Sequence, residues 1–283
     1  MNQKKIIVSA SRRTDIPAFY MPWFMECVIK KRFVLKNPRS KKISTLVFTP
    51  ENIAAVYFWS KDYELFLNNN YGEKLEDMGF PVFFHYTLNS FDPVLEPGIK
   101  KSTKQRCDIL DKLALKFGPE RIFLRFDPVV FYKDENNVAK NNLHDFEYIA
   151  QSASKAGIKK MIISFADLYK KVVKREIKHK ITFINPEDSK KVRIIQRMKN
   201  VAEKLNIELN LCCETIEGPG SLILNKPCIS PDHVNKVLNL NLKQIKDRAQ
   251  RNDCICSQSR DIGSYDDHPC FHNCTYCYAR PQA

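Results

Sequence analysis

PVFFHYT (81–87) and RIFLRFD (121–127) stand on either side of STKQRCDILDKLALKF (102–117), and the reading of this stretch decides the fold. The two flanking runs are short, almost continuously apolar and rich in Phe, Val and Ile, the pattern of strands buried on both faces. Between them Cys107, Leu110, Leu113, Ala114 and Phe117 fall on one face at helical spacing. Ser102 or Thr103 caps the start, and Gly118-Pro119 stops the helix. Strand, helix and parallel strand form one β-α-β unit.

The same alternation runs outward in both directions. KKIIVSA (4–10), ISTLVF (43–48), AVYFW (55–59), KKMIISF (159–165) and IELNLC (207–212) read as further buried strands. Helices are expected over 142–156, with Leu143, Phe146, Ala150 and Ala153 on one face, and over 189–205, with Val192, Ile195, Met198, Ala202 and Leu205. Ser230-Pro231-Asp232 opens a shorter one. Most strands end in polar residues: Ser11–Asp15, Ser60-Lys61, Thr87 and Asn89, Arg125 and Asp127, Ser164 and Asp167, Glu214. Apolar strands with polar carboxyl ends are what a β/α barrel builds a site from. The expected fold is therefore α/β, a full or partial parallel barrel of TIM type, with a cysteine-rich, metal-organised carboxyl-terminal tail. A doubly wound sheet is the rival, but the chain has no G-x-G-x-x-G and no P-loop. Residues 1–212 are expected to form the barrel core and 213–283 a tail packed on it.

Composition agrees with a globular protein: 283 residues, 43% hydrophobic and 28% charged, with 8 Gly and 15 Pro. No apolar run could span a bilayer and the first residues lack a secretory signal, so a cytoplasmic location is expected, with no membrane partner. The formal net charge is +14. Much of it is paired Lys at element edges, the pattern of a solvated surface, though a nucleic-acid substrate is compatible with it.

Ten cysteines are many for a cytosolic chain, and eight of them (Cys212, Cys213, Cys228, Cys254, Cys256, Cys270, Cys274 and Cys277) crowd its last quarter. In a reducing compartment such clustering points to metal rather than to disulfides. Cys27 and Cys107, each alone on a helix, read as core residues. The sharpest pattern is Cys270-Phe-His-Asn-Cys274-Thr-Tyr-Cys277, and no fourth thiol follows before Ala283. A structural zinc or an electron-transfer 4Fe–4S cluster takes four protein ligands. Three thiolates on one loop hold three irons of a cubane and leave the fourth open.

This C-x3-C-x2-C motif resembles that of the radical S-adenosylmethionine enzymes, in which it binds the 4Fe–4S cluster that cleaves S-adenosylmethionine. The aromatic residue before the third Cys, here Tyr276, packs near the adenine in that superfamily. Its motif usually lies near the amino terminus. One family places it at the end, the domain of unknown function 1848. The opening Val8-Ser-Ala-Ser-Arg-Arg-Thr-Asp-Ile-Pro17 and the tail Cys254-Ile-Cys256-Ser-Gln-Ser-Arg-Asp-Ile-Gly-Ser-Tyr-Asp266 are similar to that family's ends. Asp267-His268-Pro269 lengthen the approach to Cys270, and Phe271 replaces an expected Pro.

The resemblance implies an enzyme that makes a 5′-deoxyadenosyl radical and takes hydrogen from a substrate the sequence does not identify. A low-potential ferredoxin or flavodoxin is the implied electron donor. Cys212, Cys228, Cys254 and Cys256 would supply four thiolates to an auxiliary 4Fe–4S cluster. Zinc on the same sulfurs competes with that assignment, and so does burial of Cys212, Cys213 and Cys228 as core residues. Arg12, Arg13 and Asp15, and also Arg125 and Asp127, are candidates to bind S-adenosylmethionine in place of the superfamily's glycine-rich motif. The plainer reading of the first three is a strand-to-helix cap with surface salt bridges. His268 and His272 could instead compose a zinc site with Cys274 and Cys277. His85 reads as a core histidine, and His144, His179 and His233 have no evident partner. The alternative from another class is a zinc-stabilised nucleic-acid-binding protein.

Overall fold

The computed structural model describes residues 5–38, 40–214, 216, 225–248, 250–251 and 253–279. Seven strands form one parallel sheet: β1 (Ile6–Ala10), β2 (Ile53–Ser60), β3 (Val82–Thr87), β4 (Ile122–Val129), β5 (Lys160–Phe165), β6 (Glu208–Leu211) and β7 (Arg260–Asp261). Their spatial order is β6-β5-β4-β3-β2-β1-β7. The first six therefore follow one another in sequence and in space with no reversal. Right-handed crossovers in an unreversed order put every helix on the same face, whereas a doubly wound sheet reverses and covers both.

The observed packing agrees. Helices α1 (Met21–Ile29), α2 (Thr103–Phe117), α3 (Phe146–Lys155) and α4 (Asp188–Lys204) all join the core built on the outer face. Alternation along the strands divides the side chains: Phe58, Phe84, Leu124 and Ile163 face these helices, while Tyr57, Phe83, Phe123 and Ile162 face the other way. The inner face is covered by the tail, through Cys228, Ile229 and Val234 of helix α5 (Pro231–Leu238) and its approach.

The sheet is consistent with a partial barrel. A closed TIM barrel is not formed by the described strands: β6 and β7 lie at opposite ends of the order, and β7 is held on β1, Val8 opposite Arg260 and Ser9 opposite Asp261. The run at 43–48 also departs from expectation. Ile43–Val47 pairs antiparallel with Arg32–Lys36 in a separate hairpin, because Ser44 and Thr45 interrupt its apolar run; Phe33, Leu35 and Phe48 are buried in the core and Leu46 packs half-buried against it. Helix α3 is shorter than 142–156: Asn142 is fully buried and bonds Val130 N and Pro128 O, and Asp145 stands at the N-cap. Helix α4 starts one residue before the expected Ser189, after Glu187. The first strand begins at Ile6, and residue 4 of its expected range lies outside the described residues. No helix is long and apolar enough to cross a membrane.

Candidate metal centres at the strand ends

The loop carrying Cys270, Cys274 and Cys277 lies over the carboxyl ends of β1, β2 and β3. Several bonds fix its backbone. Thr275 N donates to Leu95 O (2.9 Å), Gly98 N to His272 O (2.9 Å) and Tyr20 Oη to Pro269 O (2.5 Å). Gly98 is required there, since a Cβ would stand 2.3 Å from Phe271 O and 2.5 Å from His272 Cα. On the far side the Arg175 guanidinium donates to three carbonyls, of Thr275 (3.2 Å), Cys277 (2.6 Å) and Ala279 (2.9 Å). Such pinning holds three thiols in one mutual geometry. Burial raises all three thiol pKa values, Cys270 to about 12, and Cys277 raises those of Cys270 and Cys274 further. They are protonated at neutral pH unless a cation binds and supplies the compensating charge.

Beneath the loop is a buried polar floor. Glu96 Oε1 accepts from Lys61 Nζ (2.8 Å), from Asn89 Nδ2 (2.9 Å) and from the Tyr276 hydroxyl, and its Oε2 lies 3.8 Å from Arg106 Nη1. Burial pushes the Glu96 pKa up, but Lys61 and Arg106 outweigh it and hold the carboxylate at about 2. Lys61 lies 5.6 Å over the Tyr276 ring and lowers the pKa of Cys274. Asp15, on β1's exit, accepts from Ala18 N (2.9 Å), Lys61 N (2.8 Å) and His272 Nε2 (2.7 Å).

The second cysteine group is built from three separate segments on the inner face. Cys212 Sγ is 3.4 Å from Cys228 Sγ, and the Cys228 backbone N–H donates to Cys256 Sγ at 3.2 Å. Cys213 neighbours both Cys212 and Cys254, and Cys254 neighbours Cys256, so the five thiols stand in one ring. The Cys212 bond pushes Cys213 up to about 11; in Cys228 the same partner lowers the value, but Cys256 and burial carry it to about 11.

Two buried arginines face this ring. Arg125 Nη1 donates to Cys228 Sγ at 3.0 Å, while its other edge pairs with Asp127. Arg12 lies close enough to Cys256, Cys228 and Cys254 for their thiolate charge to raise its pKa against the opposing effect of burial. The Trp59 ring lies 5.4 Å from the Arg12 guanidinium carbon and 5.2 Å from that of Arg125. His85 stacks on Trp59 at 3.8 Å and meets Cys228 O through Nε2 at 2.9 Å.

The expected site residues thus divide. Tyr276 and Asp15 lie with the motif loop. Arg12 and Arg125 lie with the second group, and Asp127 joins the two: it pairs with Arg125, accepts from Ser164 Oγ, and donates its N–H to Asn89 Oδ1 at 2.9 Å, while Asn89 reaches Tyr276 Oη at 3.1 Å. Arg13 contacts neither; its Nη1 donates to Gly263 O at 2.9 Å and its Nε lies 3.9 Å from Asp261. Asp261 also accepts from Ser9 Oγ (3.1 Å), Ser11 Oγ (2.7 Å) and Arg12 N (2.8 Å), which stitches the two ends of the chain together. His272 is engaged by Asp15, and His268 packs on the Trp23 ring at 4.0 Å. His233 meets Glu120 O at 2.8 Å. Cys27 and Cys107 sit in or against the outer core.

Sequence reasoning did not single out Glu96, Arg106, Arg175 or Trp59. Arg106 carried a signal, because it falls on the apolar stripe of α2 four residues before Leu110 and is fully buried. Glu96 and Arg175 lie outside any periodic pattern. Glu214, at the end of β6, accepts from Phe165 N at 2.6 Å, and burial pushes its carboxyl up to about 7.

Among the described residues, no group of three or more His, Cys, Asp or Glu side chains is disposed to hold a single metal ion. For a sulfide-bridged cluster the residues do fit. Around the second ring Arg12 Nη2, Trp59 Nε1 and Tyr57 Oη are buried with no hydrogen-bond partner. Orphaned donors are costly in a dry core, and the sulfurs of an iron–sulfur cluster accept such bonds. At the loop, Glu96 Oε2 and His272 Nδ1 are likewise buried without a hydrogen bond.

No curated protein matches the chain. A family model described as Domain of unknown function (DUF1848) matches residues 7–279. That span takes in the Ser9–Arg13 opening, the Asp261 strand that binds it and all eight tail cysteines, and the chain belongs to this family.

Proposed function

We propose that the protein is a radical S-adenosylmethionine enzyme with an auxiliary iron–sulfur cluster. The observation that carries this reading is the placement of three thiols on one braced loop, above a buried charged floor, where the strands of a parallel sheet end. Cys270, Cys274 and Cys277 would hold three irons of a 4Fe–4S cluster, and Cys212, Cys228, Cys254 and Cys256 the auxiliary one. A cluster held there would supply the electron that cleaves S-adenosylmethionine to methionine and a 5′-deoxyadenosyl radical, the hydrogen-abstracting chemistry of the reaction.

The chain's own residues supply position and shelter. Arg175 fixes the loop's carbonyls, Glu96 and Asn89 fix the Tyr276 ring, and Lys61 balances the negative charge that gathers beside Cys274. Leu95, Val130 and Tyr132 pack against Cys274 and Tyr276 and keep water away. A low-potential ferredoxin or flavodoxin in the cytoplasm would provide the electron.

The test is anaerobic reconstitution with iron and sulfide, then reduction in the presence of S-adenosylmethionine. Iron with acid-labile sulfide and release of 5′-deoxyadenosine are expected. Stoichiometric zinc without iron would overturn the reading in favour of a zinc-stabilised nucleic-acid-binding protein, which a steep salt dependence of DNA or RNA affinity would then support.

A further inference from the structure

Arg12 and Arg125 sit where their charge has little other use. Arg125 is 4% exposed; Asp127 takes one edge of its guanidinium, and the remaining Nη1 points at Cys228 Sγ. Arg12 reaches Ser259 Oγ at 3.4 Å and Asp247 at 3.8 Å through Nη1, while its buried Nη2 has no hydrogen-bond partner. Removing two guanidiniums from water costs several kcal/mol each before any return. Asp127 accounts for part of that at Arg125. Asp247 and Asp261 account for part of it at Arg12; at the ring itself the described partners are sulfur and the Trp59 face, where an anion held by the thiols would add the rest.

A four-thiolate cluster is such an anion, and its reduced state carries one more negative charge than its oxidised state. Nearby buried cations stabilise the more negative state more strongly in a low-dielectric interior. The two cysteine groups differ in this respect. At the motif loop Lys61 is paired with Glu96 at 2.8 Å and Arg175 is spent on backbone carbonyls, whereas at the second ring Arg125 Nη1 donates directly to Cys228 Sγ at 3.0 Å and the buried Nη2 of Arg12 has no hydrogen-bond partner.

Building on the auxiliary-cluster reading above, we infer that Arg12 and Arg125 are the residues that raise the reduction potential of the second site, making it the more readily reduced of the two. The couple is a one-electron step: the bound cluster gains an electron from an external reductant, and no bond is made or broken.

The experiment uses the full chain carrying Cys270→Ala, Cys274→Ala and Cys277→Ala, reconstituted anaerobically with iron and sulfide and titrated with dithionite under electron paramagnetic resonance. Replacing Arg125 or Arg12 by Met should cut the reduced-to-oxidised ratio at fixed poise at least tenfold, a fall of about 59 mV in midpoint for one electron. Arg125→Lys, which keeps the charge, should recover most of it. If the triple variant does not fold, the same titration on the wild-type holoprotein with S-adenosylmethionine separates the two signals, because only a cluster with an open iron responds to it. A bound second cluster whose midpoint is unmoved by either Met variant overturns this inference and leaves the auxiliary cluster standing. Zinc, or no metal, at the second ring overturns both.

Discussion

The two cysteine groups of this molecule rest on one sheet but are made in opposite ways. Cys270, Cys274 and Cys277 come from eight consecutive residues, and their geometry is set by a single loop braced by Arg175, Gly98 and Leu95. The second ring draws Cys212 and Cys213 from the end of β6, Cys228 from the approach to α5, and Cys254 and Cys256 from the approach to β7, so it exists only when the tail is folded against the inner face. One group has too few thiols to close a cubane and the other has one to spare. On the proposed function, the contrast is that of a site left open for a further molecule and a site closed by its own ligands.

Separate losses give the largest test of that contrast. Cys274→Ala should reduce 5′-deoxyadenosine formation to the uncatalysed background, with the auxiliary cluster's absorption and iron retained. Cys228→Ser should do the reverse to the metal content, removing the second cluster while the loop still binds iron. Iron and acid-labile sulfide assays on the two variants check both statements. If either substitution empties both sites, the groups are not independent.

Next in size is the tie between the chain's ends. Asp261 accepts four hydrogen bonds, from Ser9, Ser11, Arg12 and Gly263, and it stands between β1 and the loop that leads to Cys270. Asp261→Ala leaves those donors unpaired and should destabilise the protein by about 3 kcal/mol in urea denaturation. Because β7 anchors the tail, the variant should also lose iron from both groups, unlike the cysteine variants. Asp261→Asn, which keeps one acceptor oxygen, should lose less.

A pH profile isolates the floor under the motif loop. Glu96 falls from the ordinary 4.5 to about 2, with Lys61 and Arg106 overcoming its burial. A depressed carboxyl gives stability that is fully present above its unfolded pKa and is lost as pH falls towards the folded one. Between pH 5 and pH 2 the wild type should therefore lose about 3 kcal/mol more than Glu96→Gln, whose side chain does not titrate. Urea midpoints for both proteins across that range provide the measurement, and parallel curves would show that Glu96 is not held ionised.

What could be read in advance follows from how local each feature is. Six of the seven expected strands enter the main sheet because continuous apolar runs report burial on both faces; the seventh, 43–48, was a run broken by Ser44 and Thr45. Parallel α/β character followed from alternation, but barrel closure depends on where the last strands go, and β7, two residues long, left no hydrophobic trace. The motif loop was legible through its spacing. The second ring was legible only as four cysteines of the right kind, and Cys213 looked like a core residue because nothing in a Cys-Cys pair shows which way the chain turns. Arg12 and Arg125 were expected beside the motif loop. Their position at strand ends was readable, but not the tail that folds between them, since that contact joins residues more than a hundred positions apart.

The smallest expected effect falls on that fifth thiol and decides whether the second ring is complete with four. Cys213 adopts φ +55°, a left-handed turn directly after Cys212, so consecutive thiols diverge and only one of them lies along the Cys228 side. Cys212 has the 3.4 Å contact to Cys228, while Cys213 is half-buried beside Arg251, which is paired with Asp167 at the rim. Cys213→Ser keeps a hydroxyl able to bond Cys212 and Cys254, so the variant should retain wild-type iron and sulfide and change stability by less than about 1 kcal/mol. Cys212→Ser should lose the second cluster. The opposite pair of results would make Cys213 the ligand and Cys212 the spare, moving the cluster towards Arg251 and away from Arg125. In that case Arg125→Met would also move the midpoint less than Arg12→Met, so the two experiments constrain one another.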